Sequence, residues 1–117
     1  MKKAAQVVAP VGSIVDIPDE DAVFHTVYDL NDRYQVPGWA HLRRGYKQPI
    51  HANGPEDGKG AHWRGIYDDN GRLMVAISYN SDIGDAWEWA DNPSYPERCA
   101  DLAIRLGINY IVYAMTH

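Results

Sequence analysis

The chain of 117 residues contains one cysteine, Cys99, and no long apolar run. A single thiol excludes an internal disulfide framework and any zinc site built from several cysteines. No apolar run approaches the length of about eighteen residues that predicts a membrane-spanning helix. The apolar N-terminal stretch is short and interrupted by Gln6, so it does not predict a signal peptide. The formal net charge of −5 leaves no global basic surface for nucleic acid.

Common catalytic motifs are missing as well. The chain has no Gly-x-Ser-x-Gly elbow, so serine-based catalysis is unsupported. None of its five histidines stands at the close spacing of a His-x-His or His-Glu-x-x-His motif. Histidines far apart in sequence can still meet in a fold, and His25, His62 and His117 are our candidate ligands for zinc, another transition metal or a divalent ion. The alternative is that each is a hydrogen-bonded core residue.

The composition is typical of one globular domain, which would span residues 1–117. Apolar residues make up 45% of the chain and charged residues 23%, which are ordinary values for such a domain. Glycine and proline concentrate in residues 36–61, which we predict to form a long loop. Residues 13–17 predict a short strand, and acidic residues 19–21 before an apolar segment predict a short helix after them.

Residues 62–67 and 72–79 predict two strands of a β-hairpin. Asn70 and Gly71 lie between them, and both residue types tolerate a positive φ. Residues 73–77 are continuously apolar, which favours a strand covered on both faces.

A helix is predicted after residue 93. Ser94 would be its N-cap and Glu97 would complete a capping box, with Pro96 in the first turn. Cys99, Leu102 and later apolar residues follow the spacing of a buried helical face. Residues 108–115 remain open between helix and strand, since their β-branched content favours a strand and Gly107 would end a helix.

Residues 80–91 are the candidate functional segment, because they place four carboxylates and two tryptophans directly after the apolar strand. Asp82, Asp85, Glu88 and Asp91 recur every three residues, so a helical turn would bring them close enough to recruit a cation or to act as general acid and base. Asp82, Asp85 and Glu88 are the catalytic candidates. The alternative is that Asp82 or Asp85 caps a short turn, that Gly84 supplies a positive φ, and that the other carboxylates are solvated.

The four tryptophans lie in or beside predicted loops. They could form a stacking platform for a sugar or another small molecule, or fill the core beneath the long loop. The candidate ligand-binding residues of the segment are Asn80, Asp82, Asp85, Trp87, Glu88 and Trp89.

Residues 72–77, 80–91 and 106–117 resemble the C-terminal half of a bacterial family, the domain of unknown function 4159, and residues 22–26 resemble another segment of it. This resemblance implies an α/β fold, namely a partial flavodoxin-like or amidotransferase-like sandwich of the class I glutamine-amidotransferase-like superfamily. It also implies that the final apolar segment is helical. We therefore expect an α/β domain with a β-hairpin and a C-terminal helix.

The chain departs from that family pattern in two ways. The family's N-terminal strands and helices have no counterpart in this chain, so we expect a half-domain with an open sheet edge. A second copy or a partner chain would cover this edge. The amidotransferase nucleophile has no counterpart either, because Cys99 lies on the apolar helix face, where a buried thiol is inert.

The leading functional hypothesis is a ligand-binding or assembly domain without amidotransferase chemistry, with carbohydrate as one ligand class. Its site would be the loop after strand residues 73–77, since ligands of open α/β sheets bind beyond the carboxyl ends of strands. One alternative is a metal-dependent oxidoreductase or hydrolase that uses His25, His117 and the acidic loop. Another is an envelope-associated interaction module. The default location is the bacterial cytoplasm.

Overall fold

A three-stranded antiparallel sheet lies at the centre of the computed structural model, which describes residues 12–39 and 61–117. The strands are β1 (Val15–Asp16), β2 (His62–Tyr67) and β3 (Leu73–Tyr79), in the spatial order β1-β2-β3. The fold is therefore a small α/β domain. Every strand pair of the described residues is antiparallel, so the parallel sheet of a flavodoxin-like sandwich is not seen in this part of the chain. The predicted loop at 36–61 lies largely outside the described residues.

The predicted β-hairpin is confirmed, but its turn differs from the expected one. The Asp68 carboxylate accepts hydrogen bonds from the backbone N–H groups of Asn70 and Arg72. Gly71 has a φ of +80°, whereas Asn70 is not among the described residues with a positive φ. The turn thus has its positive φ at Gly71, whose backbone N–H donates to the carbonyl oxygen of Asp68 at 3.1 Å. Ile66 pairs with Val75 and Tyr67 pairs with Leu73, so β3 has one extra residue, Met74, at this irregularity in the strand pairing.

The expectation that β3 is covered on both faces is also wrong. Met74 and Val75 are 51% and 43% exposed. The pairing of Ile66 with Val75 and of His62 with Tyr79 places these residues on the outer face of the sheet. Antiparallel sheets commonly leave one face uncovered, and here helices pack on the inner face alone among the described residues.

Three helical elements complete the described fold. A 3-10 helix covers Ala22–Phe24, α1 covers Ile83–Glu88 and α2 covers Glu97–Thr116. The Asp21 side chain accepts from the backbone N–H of Val23 and caps the 3-10 helix. The predicted short helix after the acidic residues is thus confirmed, although it is only three residues long. No helix of the described residues is long and apolar enough to cross a membrane.

Helix α2 continues through Gly107 to Thr116, as the family resemblance implied. The alternative of a strand at 108–115 is wrong. One glycine in a helix interior costs about 1 kcal/mol, and the buried face formed by Leu106, Asn109 and Tyr113 offsets this cost. Glycine is favoured at this position because a Cβ atom there would lie 3.1 Å from Cζ2 of Trp87.

The predicted capping box at the start of α2 is wrong. The N-cap position is occupied by Pro96, which makes no side-chain capping bond. The backbone N–H of Ser94 instead donates to Oδ1 of Asn92 in a separate turn. Tyr95 is then buried, and its hydroxyl donates to the carbonyl oxygen of Pro37. Anchoring of Tyr95 therefore determines the entry into α2.

Asn109 is the one uncharged polar residue in the described core, and it is fully buried on the inner face of α2. Its Oδ1 accepts from the backbone N–H groups of Val27 and Tyr28 at 3.1 and 3.0 Å. Its Nδ2 donates to the carbonyl oxygens of Val23 and Tyr28 at 3.0 and 2.9 Å. All four bonds that an amide side chain can make are used, so Asn109 ties the segment after the 3-10 helix to α2.

Replacement of Asn109 by alanine should lower the free energy of unfolding by about 3 kcal/mol, because it leaves several buried backbone groups without a partner. Urea denaturation followed by circular dichroism measures this change. Asn31→Ala is the control, since Asn31 is exposed, and its effect should stay within about 0.5 kcal/mol. Equal losses for both variants would contradict the role assigned to Asn109.

Candidate functional site

The acidic and aromatic segment 80–91 folds into a turn followed by α1. Asn80 makes the turn with a φ of +62°, and Gly84 is not among the described glycines with a positive φ, so the expectation for Gly84 is wrong. Oδ1 of Asp82 accepts from the backbone N–H of Asp85 at 2.9 Å, which caps α1. The capping alternative for Asp82 therefore describes the geometry found.

The Asp85 carboxylate faces the segment that precedes residue 40. Its Oδ2 accepts from the backbone N–H of Trp39 at 2.9 Å. A Cβ atom on Gly38 would lie 3.0 Å from Oδ2 of Asp82 and 3.3 Å from Oδ2 of Asp85, so a larger residue there would require the two carboxylates to shift by a few tenths of an ångström. The Asp85 carboxylate thus holds Trp39 against the start of α1, and Gly38 lies close to both carboxylates.

Hydrogen bonds around Val36 extend this attachment. Its N–H donates to Oγ of Ser81, and its carbonyl oxygen accepts from the backbone N–H of Asp82 at 2.7 Å. The side chain of Gln35 donates to the carbonyl oxygen of Asn80. Residues 80–85 therefore act as a docking point for residues 35–39.

The remaining carboxylates of the segment, Glu88 and Asp91, are exposed. The described residues contain no group of three or more His, Cys, Asp or Glu side chains that could hold a metal ion. The catalytic and ligand-binding roles of Asn80, Asp82, Asp85, Trp87, Glu88 and Trp89 stay predictions.

The four tryptophans are in different environments. Trp63 is buried in the core, whereas Trp39 and Trp89 stack with ring centroids 4.6 Å apart. Trp87 covers Gly107, and its Nε1 donates to the carbonyl oxygen of Ala103 at 2.7 Å. Only Trp87 among them keeps half of its surface exposed.

The three candidate histidines have different neighbours. Nδ1 of His25 lies 3.0 Å from Oδ1 of Asp29, and its Nε2 lies 2.9 Å from the carbonyl oxygen of Asp19. The His62 ring lies beside Tyr79 on the outer face of the sheet. The His117 ring stacks on Tyr113 at the end of α2. Their role as metal ligands stays a prediction.

The surroundings of His25 favour its charged form. Two acceptors face its two ring nitrogens, and only the protonated imidazole has an N–H for each. The hydrogen bond with Asp29 and, to a lesser extent, that with the Asp19 carbonyl raise the pKa of His25 above its ordinary 6.5. Slight burial and the positive charge of Arg33 oppose this shift without cancelling it.

A surface that the sequence analysis did not single out lies on the outward side of α2. Ile104, Ile111 and Met115 are 44%, 63% and 78% exposed, and Ile108 between them is half-buried. We call these four residues the α2 stripe. Their spacing of four, three and four residues could have been read from the sequence, but the opposite face of the same helix carries the stronger apolar pattern.

Cys99 lies on that opposite face and is fully buried, as predicted. Burial raises the pKa of its thiol, so the reactive thiolate is disfavoured.

The fold and these surfaces describe a small α/β domain with one antiparallel sheet and a long C-terminal helix. The family described as domain of unknown function (DUF4159) matches residues 1–115. The chain belongs to this family, and the match extends to the N-terminal side of the segments that carry the resemblance. No curated protein and no solved structure matches the chain significantly.

Loss of the Asp82 cap in Asp82→Ala should destabilise the protein by about 1 kcal/mol, while Asp82→Asn should cost less because an amide oxygen can still accept the bond. Chemical denaturation measures both values. Glu88→Ala is the matched control from the same segment and should change little. An equal loss in Glu88→Ala would contradict the capping role.

The raised pKa of His25 predicts a pH-dependent stability. The contribution of the charged imidazole is fully present below about pH 6.5 and is lost as the pH rises through the higher pKa of the folded protein. Urea denaturation at pH 6 and pH 8 should therefore show a larger loss for the wild type than for His25→Gln. His117→Gln is the control and should keep the wild-type difference. Equal losses in the wild type and His25→Gln would refute this assignment.

Proposed function

We propose that the chain is an assembly domain that forms a two-fold dimer with a second copy through the α2 stripe. The observation that carries this proposal is the exposure of large apolar side chains along the side of α2 opposite the core. A helix that is apolar on both sides is typical of a helix buried on both sides. A covering partner would remove the outer apolar surface from water.

The composition of the stripe favours a second copy as the partner. In an antiparallel pair with the two-fold axis between Ile108 and Ile111, Ile108 would face the partner's Ile111. Ile104 would face the partner's Met115 in the same way. Each apolar residue thus meets another apolar residue, which is the self-complementarity that a two-fold interface requires.

Charge along α2 supports the same arrangement. All of its charged residues lie in its first nine positions, from Glu97 to Arg105, and residues 106–116 contain none. Asp101 and Arg105 neutralise each other in an ion pair at 2.9 Å. An antiparallel pairing would therefore bring no like charges together along the stripe, and it would oppose the two helix dipoles.

Trp87 would widen this interface. Its ring lies on Gly107 beside the stripe, and its indole N–H is already bonded to the carbonyl oxygen of Ala103. The exposed half of the ring can therefore be buried by a partner without leaving a donor unpaired. Aromatic residues of this kind are enriched at protein interfaces.

The assembly hypothesis is preferred over ligand binding at residues 80–91. Asp82 and Asp85 are engaged in holding α1 and residues 38–39, so they offer fewer free acceptors to a ligand than an open loop would. The apolar surface of the α2 stripe has no comparable role within the described part of the chain.

A charge placed within the stripe should dissociate the dimer. Ile111→Glu would bury a carboxylate against apolar side chains, so we expect the dissociation constant to rise at least about tenfold. Sedimentation equilibrium over the micromolar range measures this constant. The matched control is Val27→Glu, since Val27 is similarly exposed but lies beside the core-facing side of α2, opposite the α2 stripe. A wild-type monomer throughout this range, or an Ile111→Glu variant that remains dimeric, would refute the proposal.

A further inference from the structure

A second feature, separate from α2, is a cavity of about 280 Å³ at the edge formed by β1 and β2. It is lined by Asp16, Ile17, Pro18, Asp19, Arg33, His62 and Trp63. Arg33 and Trp63 are only 3% and 4% exposed. Two buried polar side chains thus contribute to the wall of one small cavity.

Both of these side chains keep a buried N–H group without an acceptor. Nε of Arg33 and Nε1 of Trp63 have no hydrogen-bond partner among the described residues, although other nitrogens of Arg33 are bonded. The Arg33 guanidinium lies 5.8 Å from the centroid of the Trp63 ring. A buried donor without a partner costs about 1–3 kcal/mol, so pairing these two donors with a ligand oxygen would contribute to binding at the cavity that their side chains line.

The charges around the cavity indicate what kind of molecule carries that oxygen. Arg33 is paired with Asp19 at 2.7 Å, and Asp16 is paired with Arg64 at 3.2 Å. An anionic ligand would meet the exposed carboxylates of Asp16 and Asp19, and a cationic ligand would meet Arg33. A neutral ligand avoids both repulsions.

The same carboxylates can accept hydrogen bonds from ligand hydroxyl groups. Ile17, Pro18 and the Trp63 ring add apolar surface that suits the C–H face of a small ring. The volume lies just below the range of about 300–1,000 Å³ typical of sites for drug-sized molecules, so a single sugar ring is the suitable size.

We propose that this cavity binds a small neutral molecule rich in hydroxyl groups, with the chemistry of a monosaccharide. One ligand oxygen would accept from the Trp63 indole and the Arg33 guanidinium, and other hydroxyls would donate to Asp16 and Asp19. Neither buried nitrogen is accessible to solvent in this structure. Binding therefore includes a small rearrangement of the lining side chains, after which the two donors are paired.

Nuclear magnetic resonance of the ¹⁵N-labelled full chain tests this proposal with D-glucose as the probe. The indole signal that disappears in Trp63→Phe identifies Trp63. On addition of glucose we expect this signal to move saturably, with a dissociation constant in about the millimolar range for a ligand of this size. The Trp87 indole signal should not move, because its donor is already paired.

Two variants give the matched comparison. Trp63→Phe keeps an aromatic ring but removes the N–H, and it should weaken glucose binding about tenfold. Trp87→Phe removes a paired indole elsewhere on the surface and should leave the affinity unchanged. Glucuronate, which keeps the sugar ring and carries a carboxylate, should bind more weakly than glucose.

Several outcomes would overturn the proposal. The Trp63 signal could fail to respond to glucose. If the Trp63 indole N–H contacts water alone, the cavity holds a structural water. Trp63→Phe could retain the full affinity, or glucuronate could bind more tightly than glucose. If Trp63→Phe does not fold, Trp39→Phe, Trp87→Phe and Trp89→Phe identify the other three indole signals and leave that of Trp63, so the titration of the wild type still decides.

Discussion

The four hydrogen bonds of Asn109 connect the two ends of the described structure. They join α2 to the backbone of residues 23–28, which lie 81 to 86 positions earlier in the chain. Those residues have no regular secondary structure to pair their backbone groups beyond the 3-10 helix. The Asn109 side chain therefore pairs backbone groups that a neighbouring strand would otherwise pair. The position of His25 and of the segment leading to Arg33 follows from this attachment.

Local sequence patterns were sufficient for the elements whose contacts are local. The hairpin depends on a turn within five residues, and the buried face of α2 depends on its own periodicity, so both were predicted. Residues 108–115 are ambiguous in sequence because their β-branched side chains favour a strand. In the fold they are helical because α2 packs its apolar side on the inner face of the sheet. The start of α2 was misplaced because Tyr95 is anchored to Pro37, a contact across 58 positions.

The candidate site was predictable in position but not in chemistry. The segment 80–91 does follow β3, yet its Asp85 carboxylate accepts a hydrogen bond from Trp39, 46 positions away. No short-range pattern reveals such a partner. Arg33 was likewise missed, because a lone arginine between polar residues gives no signal of burial. Arg33 is buried because its guanidinium packs on the Phe24 ring, whose centroid lies 3.7 Å from the guanidinium carbon.

The inner face of the sheet is covered by α2, which follows all three strands in sequence, and this order affects synthesis. The hairpin forms from residues close in sequence, so it can pair soon after residue 79 has been made. Its inward side chains, Trp63 and Leu73, lie against a core that includes Leu106 and Tyr113, which are produced later. The nascent hairpin therefore lacks its natural cover until residues 97–116 have been made, and in this interval a chaperone would have apolar surface to bind.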